Sequence, residues 1–76
     1  MDERKSKEEL ITQRIRDING VPYATPFGYN VYGPTSDATN ALLHDAIRCL
    51  EAGELEVAER LCALVEIEMI AERRDA

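Results

Sequence analysis

The sequence contains few of the residue types on which most catalytic and nucleic-acid-binding sites depend. Its 76 residues include one histidine, two cysteines and no tryptophan. Nine basic residues stand against 15 acidic ones, a formal net charge of −6, whereas a nucleic-acid-binding surface needs an excess of basic residues. No glycine-rich phosphate loop or catalytic triad is present. We therefore expect a protein that is not an enzyme, holds no cofactor or metal and does not bind nucleic acid.

Long apolar runs are also missing. No stretch approaches the roughly 18 consecutive apolar residues that span a membrane. Residues 1–9 are mostly charged and lack the apolar region of a signal peptide. Cys49 and Cys62 are thirteen residues apart, which is not a zinc-site spacing, and we expect both to be reduced in the core. These features predict a cytoplasmic protein without membrane contacts.

Aromatic side chains are scarce and lie close together, because the three tyrosines and the single phenylalanine all fall within residues 23–32. The rest of the core must be built from leucine, isoleucine, valine and alanine. A chain this short forms a single domain and buries only about 60% of its unfolded surface. Pairing of two chains is a common way to enlarge such a core.

Charge divides the chain into three segments. Residues 1–19 carry five acidic and five basic residues, residues 20–36 carry none, and residues 37–76 carry ten acidic and four basic residues. This layout predicts a mostly α-helical domain in which an N-terminal helix, an uncharged aromatic connector and an acidic antiparallel helical hairpin follow one another.

The N-terminal helix is predicted at residues 7–19, after a frayed end at residues 1–6. Ser6 and Glu9 have the spacing of a capping box. Asn19-Gly20 predicts a left-handed stop, and Pro22 prevents continuation. The apolar positions form one narrow stripe, Ile11, Ile15 and Ile18. A helix with one narrow stripe has to lie on another surface.

The helical hairpin is predicted from its caps and its small residues. Ser36 or Asp37 can cap a helix at residues 37–52, and Gly53 ends it. A second helix is predicted at residues 54–74.

Residues 42–65 resemble one tetratricopeptide-type helix pair, because Ala46, Gly53 and Ala58 reproduce its small-residue spacing. The match lacks the large aromatics and the closing proline of that family. We interpret it as convergence on close hairpin packing and infer no function from it.

The last helix is apolar on two sides. The half predicted to pack on the earlier helices consists of Leu55, Val57, Ala58, Leu61, Cys62, Leu64, Val65 and Met69. A second stripe, Ala63, Ile67 and Ile70, lies about 120° or more from the centre of that half. Leaving each isoleucine exposed forgoes roughly 1.5–3 kcal/mol. We predict that this stripe is a homodimer contact; the alternative is cover by the N-terminal helix or the connector.

The connector at residues 20–36 allows two structures. A type I turn at residues 25–28 would pair residues 21–25 with 29–32 as a short β-hairpin, whereas the alternative is an ordered loop without strands. Its function has two interpretations as well. The rings either cap the open end of the aliphatic core, or form a binding surface through Tyr29 and Tyr32.

Acidic residues cluster at the tip of the hairpin, where Glu51 and Glu54 could attract a basic surface of a protein. His44 is predicted on the polar face of its helix, with no nucleophile nearby.

The function predicted from these features is a protein-binding module, a small dimeric regulator or inhibitor of a larger protein, by analogy with accessory proteins of phages and mobile elements. The contacts are expected at Tyr29, Tyr32, Glu51 and Glu54. A DNA-binding regulator would need Arg14, Arg16, Arg48 or Arg73 on one face. A small-molecule sensor would need a pocket lined by tyrosines and His44.

Overall fold

A computed structural model describes residues 3–24 and 30–75, with side chains for 6–21 and 32–72. Within these residues three helices and two short strands follow one another in the order α1, β1, β2, α2, α3. The molecule is elongated, with principal dimensions of 46 × 20 × 17 Å. The predicted mostly α-helical domain is confirmed.

Helix α1 is longer at its start than predicted and spans Glu3–Asn19. Ser6 therefore lies inside the helix, and the capping box predicted for Ser6 and Glu9 is wrong. The reason is local propensity, because the residues that precede Ser6 are Glu, Arg and Lys, whose unbranched side chains favour a helix. The predicted last residue, Asn19, is confirmed.

The end of α1 differs from the prediction in its mechanism. The backbone N–H of Gly20 donates to the carbonyl oxygens of Arg16 (2.9 Å) and Asp17 (3.2 Å), but Gly20 does not have a positive φ. The predicted left-handed stop is therefore wrong. The helix ends because Pro22 has no N–H to donate and disfavours helical geometry at Val21.

The connector contains two three-residue strands. Strand β1 (Pro22–Ala24) pairs antiparallel with β2 (Asn30–Tyr32), with Tyr23 opposite Val31. The N–H of Gly33 then donates to the carbonyl oxygen of Val21 at 2.9 Å. Residues 25–29, where the turn is predicted, lie outside the described residues, so the complete hairpin stays a prediction.

Helix α2 spans Asp37–Glu51 and begins where its cap was predicted. Ser36 has extended geometry (φ −107°, ψ 152°), and its Oγ accepts the N–H of Thr39 at 3.2 Å. At the other end Gly53 has a φ of +81°. The N–H of Gly53 donates to Leu50 (3.1 Å) and that of Glu54 to Cys49 (2.8 Å). These two bonds form a Schellman motif, which ends α2 and turns the chain back.

We expect Gly53→Ala to lower the free energy of unfolding by about 1 kcal/mol, because a side chain with a Cβ is strained at positive φ. Chemical denaturation followed by circular dichroism measures this change. Ala52→Gly is a suitable comparison, since Ala52 has right-handed geometry (φ −81°). An unchanged stability for Gly53→Ala would contradict the assigned turn.

Helix α3 spans Leu55–Asp75 and packs against both other helices. Two ion pairs, Lys7–Glu59 and Arg14–Glu66, join α1 to α3. Both partners advance by seven residues from one pair to the next, so α1 runs parallel to α3. The core combines residues from all three helices: Ile11, Ile15, Ile18, Leu43, Ala46, Leu55, Ala58, Cys62, Val65 and Met69.

The buried side of α3 is narrower than predicted. Val57 and Leu64 were expected in the core, but they are 42% and 47% exposed. Two helices that pack on a third cover only part of its circumference, and these residues lie outside that part. Cys62 is buried and Cys49 is half-buried, and both are free thiols. None of the helices, within the described residues, is long and apolar enough to cross a membrane.

Candidate protein-binding surface

The predicted partner contacts that the structure describes lie at opposite ends of α2. Tyr32, at the end of β2, is 61% exposed. Glu51 and Glu54 are exposed at the other end of α2, about 20 Å away along a helix of 15 residues. Tyr29 lies outside the described residues. Tyr32 and the two glutamates therefore do not share one surface.

The predicted self-association stripe lies on the surface in the described part of the chain. Ile67 and Ile70 are each 59% exposed, and Ala63 is half-buried. Helix α1 runs beside α3 without covering these isoleucines.

Two further apolar side chains on this side of the molecule were not predicted as contacts. Leu10 is 67% exposed and Leu64 is 47% exposed. Leu10 lies one turn before Arg14 on α1, and Arg14 bonds to Glu66, the residue before Ile67. We call Leu10, Ala63, Leu64, Ile67 and Ile70 the apolar side. The sequence contained one signal for the exposure of Leu10, because this residue lies about 100° around α1 from the buried stripe.

Ion pairs hold α1 at the edge of this side. The Nε and one terminal nitrogen of Arg14 each lie 3.0 Å from Oε1 of Glu66. The hydrogen bond with Glu66 raises the pKa of Arg14. Lys7 Nζ lies 3.3 Å from Oε2 of Glu59. Because all four side chains are partly exposed, these pairs orient α1 more than they stabilise it.

A groove of about 400 Å³ lies between α1 and α3, beside the apolar side. Its walls combine apolar and charged side chains: Arg14, Asp17, Ile18, Val21, Glu66, Met69 and Ile70. Val21 also binds Gly33, the neighbour of Tyr32, through the backbone. The groove therefore connects the apolar side to the connector.

The carboxylate of Glu72 joins α3 to the residues around the start of α2. Glu72 Oε1 accepts the hydroxyls of Ser36 (2.5 Å) and Thr39 (2.6 Å), while Oε2 accepts the hydroxyl (2.6 Å) and N–H (3.0 Å) of Thr35. Partial desolvation would raise the pKa of Glu72, but the bonds from Ser36, Thr35 and Thr39 outweigh it and lower the pKa to about 2. Sequence reasoning missed this cluster, since 33 to 37 residues separate its partners.

The remaining chemistry-bearing residues are dispersed. His44 is exposed on α2, and among the residues that the structure describes neither His44 nor a tyrosine lines the groove. Burial raises the pKa of the Cys62 thiol, which disfavours the reactive thiolate. Arg14 and Arg16, which a DNA-binding regulator would present on one face, are two residues apart and lie about 160° apart around α1. The described residues thus place the apolar side beside a groove, and the backbone bond between Val21 and Gly33 links that groove to the strand that ends at Tyr32.

Comparisons with protein-family models, with curated proteins and with solved structures found no match to this chain.

Proposed function

We propose that the protein is a non-catalytic protein-binding module, a small dimeric regulator or inhibitor that acts by binding a larger protein. The observation that carries this proposal is the apolar side, where Leu10, Leu64, Ile67 and Ile70 are between 47% and 67% exposed. Single exposed apolar residues are ordinary on protein surfaces, but clusters of them are typical of interaction sites.

The energetics favour a protein as the partner. Each of these side chains keeps about half of its surface exposed. Burial against a partner would contribute on the order of 1 kcal/mol per residue. The charged residues beside them, Arg14, Asp17 and Glu66, suit the polar rim that surrounds an apolar interface centre.

Tyr32 supplies a second contact at the connector end. A tyrosine offers a large contact area with only two side-chain torsions, so little conformational entropy is lost on binding. Glu51 and Glu54 lie too far away to share this contact, and their contribution is attraction of a basic partner over a longer range.

The test is quantitative capture of proteins from a lysate of the source organism, followed by purification of the captured protein and measurement of its affinity for each variant. We expect Tyr32→Ala to weaken binding at least tenfold, because it removes an aromatic contact to the larger protein. We expect Ile67→Glu to weaken binding by disrupting the apolar side through which two copies pair. Ala41→Glu is the matched control, since Ala41 is exposed on the side of α2 opposite the buried residues Leu43 and Ala46.

Equal weakening by Ala41→Glu would indicate a non-specific charge effect and contradict the proposed surface. Unchanged affinity for both Ile67→Glu and Tyr32→Ala, with circular dichroism confirming that the variants fold, would contradict it as well.

A further inference from the structure

We infer that α3 pairs with α3 of a second copy in antiparallel orientation, with Leu64 of each copy opposite Ile67 of the other. This inference rests on the proposed function, because it assigns the exposed side of α3 to the dimer contact, gives that contact an orientation and leaves exposed Tyr32 for the larger protein.

The spacing of the exposed residues on α3 fits a helix as the occupant. Val57, Leu64 and Ala71 are exposed and follow one another at intervals of seven, and exposed Ile67 comes three after Leu64. Alternating intervals of three and four along one side of a helix are the a and d positions of a heptad repeat, and such a side packs against another helix. We call these positions on α3 the seam: Val57, Arg60, Leu64, Ile67 and Ala71. The buried residues of α3 occupy the opposite side, so this seam is separate from the core.

A second copy of the same helix complements this seam at its centre. In an antiparallel pair, residues at a positions face residues at d positions of the other helix, and flanking g positions face each other. With Leu64 opposite Ile67, Ala63 lies opposite Ile70. The two-fold axis repeats both contacts, so eight apolar side chains meet in the middle of the contact.

Charge distinguishes the two orientations. Arg60 is exposed at a d position of the seam. A parallel pair would place the Arg60 side chains of the two copies side by side, which is unfavourable. The antiparallel pair separates them by about 16 Å along the axis and places each beside Ala71 of the other copy.

Helix α1 extends the contact on one flank. The pairs Lys7–Glu59 and Arg14–Glu66 hold α1 beside the flank of α3 that carries Ala63 and Ile70. Leu10 lies on this flank, 67% exposed, and adds apolar surface for the second copy.

The test begins with analytical ultracentrifugation of the wild type, Ile67→Glu and the control Ala41→Glu. We expect dimers for the wild type and the control, and at least a tenfold weaker dimer for Ile67→Glu. A monomeric wild type, or dimers that Ile67→Glu leaves unchanged, would overturn the inference. The lysate experiment with Tyr32→Ala tests the binding of a larger protein independently of this result.

Spin-label distances then test the orientation. Nitroxides are attached at Glu56→Cys or at Glu68→Cys, in a Cys49→Ser/Cys62→Ala background whose fold and dimerisation are checked first. The antiparallel pair separates the Glu56 positions by about 28 Å along the axis and the Glu68 positions by about 8 Å. We therefore expect a clearly longer distance for Glu56; two short, equal distances would indicate a parallel pair and overturn the inference.

A second measurement needs no cysteine substitution. Wild type is mixed with Arg60→Glu, and the dimers are counted by native mass spectrometry. Antiparallel pairing predicts a near-statistical mixture, because Arg60 does not face its counterpart. A marked excess of mixed dimers would indicate that these positions face each other, and it would overturn the inference.

Discussion

Replacing Glu72 with alanine is expected to lower the free energy of unfolding by about 2 kcal/mol at pH 7. The carboxylate accepts four hydrogen bonds, and it joins the last turns of α3 to the N-terminus of α2 and to Thr35. The difference between a pKa of 4.5 and about 2 corresponds to an upper limit of about 3 kcal/mol. Removal leaves the Ser36 and Thr39 hydroxyls 2.8 Å apart and able to bond to each other, which reduces the loss.

The same contact predicts how stability depends on pH. The folded protein holds the pKa of Glu72 below the 4.5 expected for the unfolded chain. The stabilisation by Glu72 is therefore complete above about pH 4.5 and decreases as the pH falls towards 2. We expect the loss of stability between pH 5 and pH 2 to be smaller in Glu72→Ala than in the wild type.

Urea unfolding at several pH values measures both effects. Glu68→Ala is the matched control, because Glu68 is exposed one turn earlier on the same helix. If Glu72→Ala and Glu68→Ala have the same stability at pH 7 and the same pH dependence, the described Glu72 contacts do not stabilise the fold.

The second large effect on stability is expected at Ile11 of α1, and its neighbour Leu10 provides the comparison. Ile11 is fully buried and Leu10 is 67% exposed, although both have large aliphatic side chains. Ile11→Ala removes buried methyl groups and leaves a cavity, which costs about 2–4 kcal/mol. In the monomer, Leu10→Ala removes atoms that already contact water, and a change within about 0.5 kcal/mol is expected.

Thermal and chemical denaturation of the two variants measures the difference. A domain of this size has only a few kcal/mol of stability, so Ile11→Ala is expected to be largely unfolded at 37 °C. The measurements are made at a protein concentration that keeps all variants monomeric. Equal stability losses would show that α1 does not pack through the Ile11 stripe.

The sequence predicted elements well where local chemistry determines the structure. The N-cap at Ser36 follows from a hydroxyl that can accept a backbone N–H, and the turn at Gly53 follows from the freedom of glycine at positive φ. The stripe at Ile11, Ile15 and Ile18 follows from helical periodicity, and all three residues are buried. Each of these features involves residues that are close in sequence.

Predictions failed where several local signals competed. Ser6 and Glu9 have the spacing of a capping box, but the residues before them favour helix as well, and α1 begins at Glu3. Gly20 follows Asn19, yet the helix ends there without positive φ because Pro22 already prevents its continuation. A motif at the correct spacing is therefore insufficient when its neighbours permit another boundary.

The candidate surface could be predicted in part. The isoleucines at 67 and 70 were expected on a second apolar stripe, and the structure leaves both exposed. The exposure of Leu64 could not be predicted, because it depends on how α1 and α2 divide the circumference of α3 between them. The distance of Tyr32 from Glu51 likewise follows from the orientation of α2.

The order of the helices, the caps of α2 and the apolar stripe of α1 were determined by the sequence alone, because they depend on backbone hydrogen bonding and side-chain periodicity within a few turns. The tertiary structure alone decided the parallel placement of α1 on α3, the groove between them, the contacts of Glu72 and the exposure of Leu64. These features join residues up to 52 positions apart, and their geometry results from packing of whole helices.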